Sequence, residues 1–121
     1  AQKIIRETHP EICFWALAGG VPMRYSKKDA RGRADRLALL QRVYPASGTI
    51  FAAALARFTR RQVAQDDILD ALVNAVTALH LGQCGATLPE DPPLDRRGLP
   101  MEMVFARPAV GSKTALTADG V

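Results

Sequence analysis

Gln65-Asp66-Asp67-Ile68-Leu69-Asp70-Ala71-Leu72-Val73-Asn74-Ala75-Val76-Thr77-Ala78-Leu79-His80-Leu81 is the stretch whose reading decides the fold. At about 100° per residue, Ile68, Leu69, Leu72, Val73, Val76 and Leu79 fall on one broad apolar arc, which predicts a helix seated in a core. Asp67, Asp70, Asn74 and Thr77 form a narrow polar stripe on the other side. The helix holds no Lys, Arg or Glu, the residues that usually face water. Its stripe offers short oxygen acceptors, two of them carboxylates one turn apart. Oxygen-liganded divalent cations use such groups. A plainer reading also accounts for them: Asp67 as the N-cap, with Asp70 as the capping-box acid favoured by the helix dipole. Gly82 and Gly85 are expected to close the helix.

Upstream, Lys3-Ile4-Ile5-Arg6-Glu7 reads as a short strand ending in an acid. Thr8-His9-Pro10-Glu11 has the pattern of a helix start, with Thr8 as N-cap, Glu11 as its capping-box partner and Pro10 in the first turn. That helix runs through Ile12–Leu17 and stops at Gly19-Gly20. Residues 19–33 form a basic connection. The next helix, about 33–44, sets Leu37, Leu40 and Val43 on one face and Arg33, Arg36 and Gln41 towards solvent. A third helix over 49–62 turns Ile50, Ala54, Leu55 and Phe58 inward and carries Arg57, Arg60 and Arg61 at its end. Downstream, residues 86–99 read as a loop. Residues 99–106 alternate like a closing strand, with Met101, Met103 and Phe105 on one side. Residues 107–121 read as a mobile tail.

The chain has 121 residues, enough for one domain or part of one, and 48% of them are hydrophobic, so it can build a real core. Its net charge of +4 mildly favours anionic partners, nucleic acid among them. No apolar run is long enough for a bilayer and no signal-peptide pattern opens the sequence, so no membrane partner and a cytoplasmic setting are expected. Cys13 and Cys84 form no CxxC pair and are expected to be free thiols.

Three constellations carry chemistry. Glu7 at a strand end, with Asp67 and Asp70, is most of a set for Mg²⁺ or Mn²⁺, and paired ions of this kind support phosphodiester hydrolysis. The basic run from Arg24 to Arg36 suits a phosphate backbone, although Asp29 and Asp35 dilute it and a solvated face explains it as well. His9-x-x-x-Cys13 and His80-x-x-x-Cys84 could supply four zinc ligands, against the blander reading of buried thiols and a satisfied core histidine. No Gly-x-Ser-x-Gly and no phosphate-binding glycine loop is present.

Glu7-Thr8-His9-Pro10-Glu11-Ile12-Cys13-Phe14, then Ser26-Lys27-Lys28, Gly32, Arg36-Leu37, Asp66-Asp67-Ile68-Leu69-Asp70-Ala71 and Gly98-Leu99-Pro100-Met101-Glu102-Met103 resemble, in order, the family called domain of unknown function 429. Its members are described as predicted nucleases of the RNase H-like fold. The organising helix is similar to the last catalytic helix of RuvC-type resolvases. The resemblance implies a helix-rich α/β chain with few short strands, the C-terminal portion of an RNase H-like domain over residues 1–106, with its catalytic-type helix at 66–81. It implies Glu7, Asp67 and Asp70 as catalytic and metal-ligating residues, Mg²⁺ or Mn²⁺ as cofactor, and Lys27, Lys28 and Arg36 near a nucleic-acid backbone. An RNase H-like core opens on an antiparallel sheet whose first strand carries an essential aspartate, and no acid here takes that role. The expectation is therefore a metal-dependent nuclease, or a part of one inactive alone, whose sheet is completed by the upstream half of the domain or by a second copy. The alternative is a non-enzymatic helical interaction or nucleic-acid-binding domain.

Overall fold

The computed structural model describes residues 6–108. Four helices come first: α1 (Pro10–Leu17), α2 (Ala30–Val43), α3 (Ser47–Arg57) and α4 (Gln65–Cys84). Two strands follow, β1 (Gly85–Leu88) and β2 (Met103–Ala106), so the chain is a helix-rich α/β domain. The strands pair antiparallel, with Gly85 opposite Ala106 and Leu88 opposite Met103. Thr8 makes a parallel bridge to Val104 on the far side of β2. The segment entering α1 thus lies at the sheet edge. Residues 3–5 of the expected first strand, and all of the expected tail except Arg107 and Pro108, fall outside the described residues.

α4 packs against each of the other five elements. Ile68, Leu69, Leu72, Val73 and Val76 are buried with Cys13, Phe14 and Leu17 of α1, Leu40 and Val43 of α2, and Phe105 of β2. Burying a side chain of this kind contributes about 1.5–3 kcal/mol, so this arc dominates the stability of the fold. Leu79, expected on the arc, is 52% exposed. It lies with the exposed Ala75 and Ala78 on the uncovered side of α4, while the neighbouring His80 is buried. α4 also runs through Gly82 and ends at Cys84, because the backbone at Gly82 stays helical. Gly85 caps the helix and is at once the first residue of β1. The expected loop over 86–99 therefore begins as a strand: Ala86 and Thr87 pair with Phe105 and Val104.

Several local expectations are corrected. α1 has His9 as its N-cap residue, with no side-chain cap. Thr8 Oγ1 instead lies 2.9 Å from Cys13 Sγ and donates to Val104 O at 3.2 Å. α2 begins at Ala30, three residues early, because Asp29 accepts from the Arg31 N–H as an N-cap. α3 ends at Arg57, and Ile50 and Phe58, expected inside, are exposed. α3 packs mainly on α2 and α4, and Thr49, Ala52, Ala53 and Ala56 are exposed.

Arg36, expected towards solvent, is 2% exposed. Its Nε and Nη2 donate to Glu11 at 3.2 and 2.7 Å, and its Nη1 donates to the carbonyls of Tyr25 and Gly32, both at 2.9 Å. The planar fork suits a carboxylate and leaves donors for the two carbonyls. Gly32 is needed beside it, because a Cβ there would strike the Ser26 carbonyl, which is backbone and cannot swing away.

Arg36→Leu should lower stability by roughly 3 kcal/mol, since it strands Glu11 and two carbonyls; Glu11 is partly exposed, which keeps the loss at the low end for a broken buried pair. Gly32→Ala should be destabilising as well. Chemical denaturation of both variants checks this, and an unchanged midpoint for either would contradict the packing described.

Candidate functional site

The 19–29 segment is held from below by α2. Gly19 and Gly20 turn out of α1 with φ of 77° and 84°, a conformation that favours glycine. Ser26 Oγ then accepts from the Lys28 N–H, and Ser26 O accepts from the Asp29 N–H. Arg33 donates to the carbonyls of Lys27 and Lys28, at 3.3 and 2.8 Å, while Arg36 holds that of Tyr25. With its carbonyls fixed by two arginines, the segment projects both lysine side chains onto the first turns of α4.

There the Lys27 ammonium lies 2.9 Å from Asp70 Oδ2 and 4.0 Å from Asp66 Oδ2. Lys28 lies 2.9 Å from Asp66 Oδ2. Asp66 and Asp70 are four residues apart and share one face of the helix. Asp66 is 5% exposed and Asp70 is half-buried. The Lys28 hydrogen bond holds the Asp66 carboxyl below its usual value, against the opposing cost of burial. The hydrogen bond to Asp70 raises Lys27 above the usual lysine value.

Beyond Asp70 the polar stripe continues inward. Asp70 Oδ1, Asn74 Oδ1, Thr77 Oγ1 and His80 Nε2 are buried with no hydrogen-bond partner among the described residues. Thr77 and His80 are each 2% exposed. A cleft of about 410 Å³ opens beside Asn74 and Thr77, with Arg6, Thr8 and Val104 on its other wall.

The sequence-predicted residues are only partly brought together. Asp70 stands in the cluster with Lys27 and Lys28. Asp67 is exposed, and the two lysines pair with Asp66 and Asp70 instead. Glu7 is also exposed, and its carbonyl accepts from the Val104 N–H. Arg36 is spent on Glu11 and the loop. Among the described residues no group of three His, Cys, Asp or Glu side chains is placed to hold a metal ion. Neither the Glu7–Asp67–Asp70 set nor the paired His-x-x-x-Cys set is assembled there. Cys13 and Cys84 are free thiols. The residues present thus fit part of an oxygen-ligand site, two carboxylates on one helix face, and not a complete one.

Asp66 was legible in principle. Asp66, Asp70, Asn74 and Thr77 are spaced four, four and three apart, as regular a stripe as one starting at Asp67. Angular position separates them: Asp67 lies nearly opposite the Leu69–Val73–Val76 line, while Asp66 flanks it. Nothing in the local sequence marked Lys27 and Lys28 as partners of α4, since that contact spans 38 to 43 residues.

Fold and cluster together define a small helix-rich α/β domain that opposes two aspartates of its central helix to two lysines of an arginine-pinned loop. The family described as "Protein of unknown function (DUF429)" matches residues 1–94, and the chain belongs to it. No curated protein and no solved structure matches the chain. No helix among the described residues is long and apolar enough to cross a membrane.

Three groups in the cluster and its polar stripe contribute to the pH dependence. Burial lowers the His80 pKa from 6.5, so its contribution is complete above pH 6.5 and is lost as pH falls through the lower folded value. The Asp66 contribution is complete above pH 3.8 and fails only in stronger acid. The Lys27 contribution is complete below pH 10.5 and fails as pH rises through its raised value. Thermal midpoints should therefore be flat, as far as these groups act, from pH 6.5 to 10.5. The first acid decline should belong to His80 and vanish in His80→Leu. Persistence of that decline in the variant would assign it to another group.

Proposed function

We propose that this chain supplies the acid-bearing wall of an RNase H-like, metal-dependent nuclease site that acts on nucleic acid, and that it does not hydrolyse phosphodiesters efficiently by itself. The observation that carries this reading is the state of Asp70. One of its oxygens meets the Lys27 ammonium and the other is buried with no donor, next to the similarly unpartnered Asn74 Oδ1. A carboxylate in a row of bare oxygen acceptors is suited to a hard cation. Asp66 joins Asp70 in this role more naturally than Asp67 does. Glu7, at the sheet edge, is the acid from outside α4 that the resemblance assigns to the set. Bound Mg²⁺ or Mn²⁺ would offset the negative charge of Asp66, Asp70 and a phosphate. Lys27 and Lys28 are the groups suited to phosphate oxygens, because both ammoniums sit on flexible stems at the rim. Arg36 positions them by fixing the loop.

A second reading is favoured by the ion pairs themselves. Both carboxylates already have ammonium partners, so the cluster also works as a structural clasp between the basic loop and α4, in a domain with no enzymatic role.

Titration separates the two. Under the nuclease reading Mg²⁺ or Mn²⁺ raises the thermal midpoint by an amount equivalent to about 1 kcal/mol when the ion is several-fold above its Kd, and Asp70→Asn abolishes the rise. No rise in the wild type would leave the clasp as the function of these residues. Incubated with DNA or RNA and Mg²⁺, the isolated chain should give no efficient cleavage. Robust cleavage lost in Glu7→Gln would show instead that the acids in this chain suffice.

A further inference from the structure

The longest run of the chain without an acid spans residues 36–65. It holds five arginines, more than the net charge of +4 of the whole chain, so the remainder is slightly acidic. Arg36 is buried against Glu11, and Arg42 lies in the last turn of α2. The other three, Arg57, Arg60 and Arg61, gather at the corner between α3 and α4, and all are exposed. Ion pairs among the described residues engage Arg6, Lys27, Lys28, Arg31 and Arg36, but none of these three.

The corner has a fixed shape. Gln62 Oε1 accepts from the Thr59 N–H at 2.9 Å and from Thr59 Oγ1 at 3.3 Å. The Gln62 N–H meets Thr59 Oγ1 at 3.3 Å and the Thr59 carbonyl at 3.0 Å. Arg60 and Arg61 are the two middle residues of this closed turn. Arg57 suits the C-terminal dipole of α3, but Arg60 and Arg61 lie beyond the helix, where the dipole does not account for them. Phe58, next to Arg57, is 39% exposed, with the Arg57 guanidinium 5.7 Å from its ring centroid. An aromatic ring kept at the surface among guanidiniums can carry an unstacked base while arginine forks meet the flanking phosphates.

We propose that the Arg57–Gln62 corner binds single-stranded nucleic acid, with a base on Phe58 and backbone phosphates on Arg57, Arg60 and Arg61. A duplex meets the arginines but not the ring, because its bases stay stacked. Three arginines are fewer than the roughly four to eight basic residues that mark a segment for anionic lipid. The corner leads directly into α4: Arg61 precedes Asp66 by five residues, no more than about 17 Å of chain. Lys27 and Lys28 reach the same first turns of α4. A strand held at the corner therefore runs close to the aspartate–lysine cluster. The inference rests on the nuclease reading for the fate of that strand, and not for its capture.

Fluorescence anisotropy of a labelled oligothymidylate of about 12 nucleotides, in chelator, tests the capture alone. With three phosphates contacted, log K should fall with log salt at a slope of about −2. Arg60→Gln and Arg61→Gln should each make that slope shallower by about 0.7, and Arg42→Gln should leave it unchanged. Phe58→Ala should weaken binding about tenfold at unchanged slope, and Phe58→Trp should restore it. If Phe58→Ala misfolds by circular dichroism, the arginine slopes and Phe58→Trp carry the test. A duplex of the same length should bind less tightly. No saturable binding at low salt overturns the proposal, whether or not Mg²⁺ raises the thermal midpoint. Competition by polyglutamate or phosphatidylserine vesicles as effective as by unlabelled oligonucleotide overturns it too, and makes the corner a general anion surface. Oligonucleotide binding intact in a protein whose midpoint Mg²⁺ does not move upholds the proposal and sinks only the nuclease reading.

Discussion

One buried guanidinium ties the three parts of this domain that the site requires. Arg36 reaches from α2 to Glu11 of α1 and to the carbonyl of Tyr25 in the connecting loop. A charge taken out of water is tolerated when its hydrogen-bonding capacity is largely met, and four hydrogen bonds occupy four of its five N–H donors here. The Phe14 ring, 5.6 Å away, closes the apolar side. The loop that Arg36 fixes is the loop that carries Lys27 and Lys28. The position of the lysines against α4 is therefore tied to a contact between α2 and α1.

The cluster itself is a balance of opposed costs. Asp66 is nearly removed from water, and its charge persists because an ammonium sits at hydrogen-bond distance. Lys28 is largely exposed and can leave at little cost, whereas Lys27 is held by both aspartates. The two lysines thus have different standing. One is a tether and the other is a loose cover.

Much of the fold is legible in the sequence because it follows from periodicity. The apolar arc of α4, the glycine stop after α1 and the closing strand at Phe105 all rest on local spacing. Failures concentrate where a distant partner overrides the local pattern. Arg36 looks like a solvated residue until Glu11 is brought to it from 25 positions away. Ala86 and Thr87 look like loop until β2 offers them a ladder. Asp67 looks like half of an acid pair because sequence shows the stripe without showing which edge of it the loop covers. The candidate site is less legible than the fold for the same reason: its acids are local to α4, but the groups that face them are not.

The junction of α4 with β1 has an evolutionary consequence. Helix and strand meet at Gly85 with no intervening residue, and a Cβ at this position would press on the Leu81 carbonyl. Adding one residue there would invert the side chains of β1 with respect to the sheet or rotate the helix away from its neighbours. The β1–β2 connection bears no such constraint, since Asp95 closes a local turn by accepting from the Arg97 and Leu99 N–H groups. Length variation among descendants of this chain should accumulate in that connection, while the distance from Gln65 to Leu88 stays fixed.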